Sequence, residues 1–340
     1  MELVNETPFS ILPFEGSSPS DDRLFVVAVR GTYSISDGQA PRLQVAQDPC
    51  VVADEYYGEP GTSSIRRPND LAIFKPNSDI LVTGTATPRE REPLRRWVAS
   101  VQVGSLTTKV ELSGERTWNR NAFGFWSLGE PAPTNEVPLR YERSVGGQWN
   151  EPDDAGVDEL NPIGCGWVSK AMKRGDGPIA APQITAVGTV PTLGDSATPA
   201  GLGPIAPSWI QRRQYAGTYD EEWLANRAPK WPSDFKFDFF NAAHPSMVYP
   251  GYLRGGEEVV LGGLTSSGQL TFSLPSIRIT AIAEDVSNYR RGAIGLLDTV
   301  HLDLDESRLW MVWRVAVPLV GGDLTHLTLN MDPPPNRKRG

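Results

Sequence analysis

Apolar and polar positions alternate with a period of two along much of this chain. In residues 24–35, LFVVAVRGTYSI, Phe25, Val27, Val29, Gly31, Tyr33 and Ile35 fall on one side and Arg30, Thr32 and Ser34 on the other. That is the pattern of a strand with one face buried and one face in water. Residues 71–86 read as two strands, Leu71 to Phe74 and Ile80 to Ala86, joined by a turn over Lys75 to Asp79, where Pro, Asn, Ser and Asp favour reversal. Residues 97–118 add two more strands. Residues 257–264, 268–275 and 277–285 read as strands as well, and 301–318 as a hairpin whose last strand puts Leu309, Met311, Trp313, Val315 and Val317 on one face.

The alternation stops between residues 127 and 215, where proline and glycine recur and 175–207 is almost wholly Gly, Pro, Ala and small polar residues. So long an aperiodic stretch inside a compact chain is either functional or packed as extended segments over a sheet. The best helix signal follows it. Thr218 with Glu221 three residues on reads as a capping box, Asp220, Glu221 and Glu222 suit the first turn, and Pro229 ends the helix after two or three turns.

Composition agrees: 33 Gly and 30 Pro in 340 residues suit strands and turns better than long helices. The expected fold is mainly β, antiparallel and sandwich-like, with long Gly/Pro-rich loops and one or two short helices. Composition divides the chain into a β-rich lobe over 1–170, a second over 171–320 that contains the loop and short helix of 207–245, and a disordered basic tail at 331–340.

The net charge of -9 argues against nucleic acid as a partner, since that affinity comes from Lys and Arg displacing counterions. No apolar run approaches the roughly 20 residues of a membrane span, and the N-terminus lacks a signal peptide's basic and apolar regions. The expected location is cytoplasmic, without membrane contact. Cys50 and Cys165 read as two buried thiols, not a disulfide framework.

Candidate chemistry is sparse. Three His and two Cys, none at a metal-ligand spacing, predict no metal and no cofactor. His301, Asp303 and Asp305 share one side of a strand, but Asp303 to Ser307 read better as the hairpin turn. No nucleophile elbow or phosphate loop is present. Cys165, between glycines, reads as a small filler, and the pairs Glu55/Glu59, Asp153/Asp154 and Glu257/Glu258 are ordinary in a chain with 41 acidic residues.

The ten tryptophans carry more weight. Trp209, Trp223 and Trp231 lie beside Arg212, Arg213, Tyr215, Tyr219 and Phe235, and Trp, Tyr and Arg dominate interface energy. The same residue types stack sugars, and they also pin irregular loops onto a β core.

Six co-linear blocks carry a resemblance: 70–86, 137–147, 161–167 (NPIGCGW), 201–244, 252–275 and 308–314. Together they resemble the bacterial domain-of-unknown-function family 2169, over roughly residues 20 to 318. The family usually has a longer aliphatic or aromatic residue where Cys165 stands, which argues against a general catalytic role for this thiol. The resemblance implies a non-enzymatic cytoplasmic adaptor or chaperone that binds a type VI secretion effector and helps load it onto the spike protein of the needle. Trp209, Arg212, Tyr219, Asp220, Trp223, Trp231 and Phe235 are the expected contact residues, and the acidic body suits a basic, nuclease-type effector. The alternative is a carbohydrate-active or carbohydrate-binding β protein with Trp platforms and a carboxylate pair.

Overall fold

The computed structural model describes residues 1–18, 20–89, 92–151, 154–175, 177–194, 197–320 and 322–332. Strands make up 43% of the chain and helix 8%, so the fold is mainly β. A seven-stranded sheet runs in the order Ser10–Ser17, Arg23–Ser34, Arg308–Pro318, Leu296–Asp303, Ser78–Thr83, Val248–Tyr249, with Arg42–Leu43 beside Arg23–Ser34. All its pairings are antiparallel except Leu296–Asp303 with Ser78–Thr83. A five-stranded antiparallel sheet orders Ile184–Ala186, Leu106–Ser113, Arg96–Val103, Glu258–Gly262 and Gln269–Ser273. A four-stranded sheet orders Glu2–Asn5, Leu324–Asp332, Arg278–Asp285 and Arg290–Ile294.

One apolar cluster joins the inner faces of all three. It includes Val29, Met311 and Trp313 from the largest sheet, Val101, Leu112 and Phe272 from the second, and Ile279, Ala281 and Leu327 from the third. Gly31 is required here. A Cβ at that position would stand 2.9 Å from the Phe9 ring, and Phe9 needs the space to stack on Trp313 at 5.4 Å.

The strand over 24–35 differs from the half-buried reading. Its apolar residues face the common core, yet Arg30 and Thr32 on the opposite side are buried too. Irregular chain covers that second face, and its charges are paired inside. Arg30 pairs with Asp70 at 3.0 Å and Arg314 with Asp298 at 2.6 Å. Alternation alone does not separate a solvated polar face from one buried with its partners.

Residues 71–74 are not a strand, and the expected turn is not a turn at its far end. Ser78 and Asp79 open the Ser78–Thr83 strand, while 71–77 run irregularly across the sheet. The 301–318 hairpin forms, with strands to Asp303 and from Arg308. Asp303 Oδ1 accepts from the N–H of Asp305 and of Glu306, both at 3.0 Å, which closes its turn.

Each of the three sheets takes strands from both sides of residue 170, so a division there does not follow the hydrogen bonding. Met331 and Asp332 end the Leu324–Asp332 strand instead of opening a tail. Residues 333–340 lie outside the described residues, as does Asp153. Among the described residues, no helix is long and apolar enough to cross a membrane.

Candidate functional site

The segment 207–245 is fixed at both ends and projects between them. Its C-terminal end is held by Asp79, a fully buried residue of the Ser78–Thr83 strand. The Asp79 carboxylate accepts from Lys75 Nζ at 2.8 Å, Asn241 Nδ2 at 2.9 Å, Ala242 N at 2.8 Å and Ala243 N at 3.3 Å. Four donors replace the water this carboxylate loses on burial.

At the N-terminal end, Trp209 is core and not contact surface. It is buried with Ile65, Tyr141 and Ile205 and meets the Tyr141 ring edge-on at 5.0 Å. Arg212 is also buried, at 7% exposure. Its Nε donates to the Phe239 carbonyl at 3.0 Å and Nη1 to that of Ile205 at 2.8 Å, and its guanidinium lies 5.4 Å from the Phe239 ring centre. These two residues tie the segment down.

Between the ends, the Glu221–Asn226 helix reaches outward. Asp220, not Thr218, caps it: the Asp220 side chain accepts from Trp223 N at 2.8 Å. Thr218 gives its N–H and hydroxyl to Asp234 at 2.9 and 2.8 Å, closing the loop at its base. The Trp223 ring lies edge-on to Tyr219 at 4.7 Å, and its indole N–H donates to the Lys230 carbonyl at 2.8 Å. Tyr219 is 53% exposed and Leu224 67%. Leu224 is an exposed apolar residue that the sequence reading did not single out; in a helix rich in acids it carried only a faint signal.

Trp231 and Phe235 are half-buried. They stack at 4.3 Å within a cluster that includes Phe237, Phe240, Val26 and Ile73, and the Trp231 indole donates to the Ser17 carbonyl at 3.2 Å. Arg227 and Lys230 reach Asp21 at 3.1 and 3.2 Å. Of the seven expected contact residues, the structure therefore brings Tyr219, Asp220 and Trp223 together on an outward ledge and uses the other four as its support.

A second exposed apolar feature went unread in the sequence. Phe123 and Phe125 stand out at the tip of the hairpin formed by Thr117–Arg120 and Trp126–Leu128. Asn121 Oδ1 accepts from the N–H of both at 3.0 Å, which closes the turn that carries the two rings.

His301 and both thiols are shifted away from their reactive forms. Burial, then the charges of Arg30, Arg67 and Arg66, holds His301 well below the usual imidazole range, and its Nε2 lies 2.8 Å from the Thr83 hydroxyl. The two cysteines are unpaired and half-buried, less enclosed than expected. Burial, reinforced by Asp70, pushes Cys50 up to about 12, and burial pushes Cys165 up to about 11. A groove of about 1060 Å³ lies between Tyr252, Arg254, Arg278 and Trp313, with Glu257 as the one carboxylate of its lining. Glu257 Oε1 is engaged by the N–H of Arg254 at 2.8 Å.

The sequence model of a family described as "Uncharacterized protein conserved in bacteria (DUF2169)" matches residues 20–314. The chain belongs to the DUF2169 family. No curated protein and no solved structure matches it. For this DUF2169 member the match takes in the Asp79 anchor, the outward ledge and the Phe123/Phe125 tip.

Proposed function

We propose that this protein is a non-enzymatic adaptor that works in the cytoplasm, binding a secreted effector and helping to load it onto the spike protein of a type VI secretion needle. The observation that carries the binding role is the ledge of Tyr219, Trp223 and Leu224, two of them more than half exposed, on and just before the Glu221–Asn226 helix, in a segment whose ends are held by buried polar anchors. Tyr and Trp side chains presented close together at a surface are enriched at the centres of protein contacts, and an exposed Leu beside them adds apolar area. A support set in advance lowers the ordering cost of binding. The secretion role comes from the likeness of the 201–244 block and its five companions to the family. An adaptor holds two partners, and the Phe123/Phe125 tip supplies a second surface. The net charge of -9 favours a basic effector, whose association would weaken as salt rises.

The test is co-expression with any toxin-like or spike protein encoded beside it, followed by size exclusion. The reading expects a stable complex and a toxin that becomes soluble. A folded chain that elutes alone in the presence of every neighbour would contradict it.

A further inference from the structure

Among the described residues, four cations are buried: Arg30, Lys75, Arg212 and Arg314. Three have a carboxylate at ion-pair distance, Arg30 with Asp70 at 3.0 Å, Lys75 with Asp79 at 2.8 Å and Arg314 with Asp298 at 2.6 Å. Arg212 has none among the described residues. Its Nε and Nη1 are used on the carbonyls of Phe239 and Ile205, and Nη2 meets no protein acceptor there.

The same guanidinium lines a cavity of about 190 Å³ whose other walls include Pro68, Asn69, Ala72, Phe239 and Phe240. Two carboxylates, Asp54 and Asp79, act on it through space, but neither comes within ion-pair distance. Asp54 Oδ1 accepts from the N–H and side-chain amide of Asn69 at 2.8 and 2.7 Å, and Asp79 already takes four donors. Burial lowers Arg212 from its ordinary range, yet a guanidinium keeps its proton in proteins. A buried ion without a contacting counter-ion is disfavoured, and this protein pairs its other three.

We propose that the cavity is a binding site for a carboxylate carrying a short apolar stem, with Arg212 Nη2 as the donor and the Phe239, Phe240, Pro68 and Ala72 walls against the stem. A guanidinium is the side chain best matched to a carboxylate. The apolar walls oppose a strongly hydrated ion such as phosphate, which would lose water there without compensation. At about 30 Å³ per water-sized group, the cavity holds roughly six heavy atoms, the size of butyrate or of a glutamate side chain. The site stands on Arg212 alone, independently of the adaptor reading. A glutamate side chain and a chain-terminal carboxylate present the same chemistry.

The experiment is calorimetric titration of the full chain, at constant ionic strength, with butyrate, butyramide and inorganic phosphate. Butyrate is expected to saturate one site with a Kd near the millimolar range suited to so small a ligand, and butyramide to bind at least tenfold more weakly. Arg212→Met, shown to be folded by near-UV circular dichroism, is expected to lose the butyrate signal by tenfold or more. Should that variant fail to fold, Ala72→Leu, which fills the cavity and keeps Arg212, is expected to abolish binding. Equal binding of butyramide, phosphate as strong as butyrate, or butyrate binding retained in a folded Arg212→Met or Ala72→Leu chain would each overturn the assignment. Competition with a short peptide ending in a free carboxylate, its amide, and an amidated version with an internal Glu then separates the sources. Displacement by the first assigns a chain end, by the last a glutamate side chain, and by none of them a free small carboxylate.

Discussion

Lys75 Nζ and Asp79 Oδ2 lie 2.8 Å apart with side-chain exposures of 4% and 0%, and the same carboxylate fastens residues 241–243 to the sheet. One buried ion pair thus serves both the β core and the outward segment. The link runs from a sequence that looks like a surface turn, through a strand end, to the position of the candidate contact residues.

Asp79→Ala leaves the Lys75 ammonium buried and unpaired and removes three further acceptor contacts. We expect a loss of roughly 3–5 kcal/mol, the usual range for breaking a buried pair from one side. The urea midpoint should fall accordingly, and limited proteolysis should cut within 207–245 first. A midpoint within error of wild type would show that the anchor contributes nothing.

Trp209 and Trp223 should separate stability from binding. Trp209→Ala empties a place beside Tyr141 and Ile205 and should be destabilising by about 3–5 kcal/mol, as for other large aromatic deletions in cores. Trp223→Ala, on the ledge, should shift stability by less than about 1 kcal/mol. Thermal melts of the two variants check this, and equal shifts would contradict the division of the segment into support and ledge.

Acid sensitivity should trace in part to His301. Its folded-state pKa lies well below the 6.5 of a free imidazole, so below pH 6.5 the unfolded chain binds a proton that the folded chain does not. Stability is then full above that pH and falls as pH drops, by about 1.4 kcal/mol per unit for one such group. His244, lowered by burial, acts in the same sense. His301→Gln should flatten the slope of unfolding free energy against pH by one proton; parallel profiles would refute the claim.

Both thiols should resist a disulfide reagent at about pH 8, close to an ordinary thiol's pKa. Cys50, raised to about 12, and Cys165, raised to about 11, carry almost no thiolate there. Both should react at once in guanidinium. Rapid labelling of Cys165 in the native chain would instead mark it as an activated group.

The fold class was legible because alternation survives wherever a strand borders the common core: Leu309, Met311, Trp313, Val315 and Val317 face it as their spacing requires. What the pattern hid is the second face of the largest sheet. Arg30, Thr32, Lys75 and Asp79 have the composition of solvated strands and turns, and their partners, such as Asp70 and Thr299, come from distant chain. The ledge was legible in part. Trp, Tyr and Arg mark 207–245 in the sequence, but composition does not tell which face of a loop meets the sheet, so Trp209 and Arg212 read as contacts. The capping signal was displaced by two residues because Asp234, sixteen residues on, competes for Thr218.

The central claim is that the ledge binds a partner protein. Its most direct test is the affinity of the wild-type chain and of the Tyr219→Ala/Trp223→Ala double variant for an effector recovered by the co-expression test, measured by calorimetry on proteins of matched melting temperature. A loss of at least about tenfold is expected, since central aromatic contacts typically carry about 2 kcal/mol or more. An affinity unchanged in the folded double variant would contradict it.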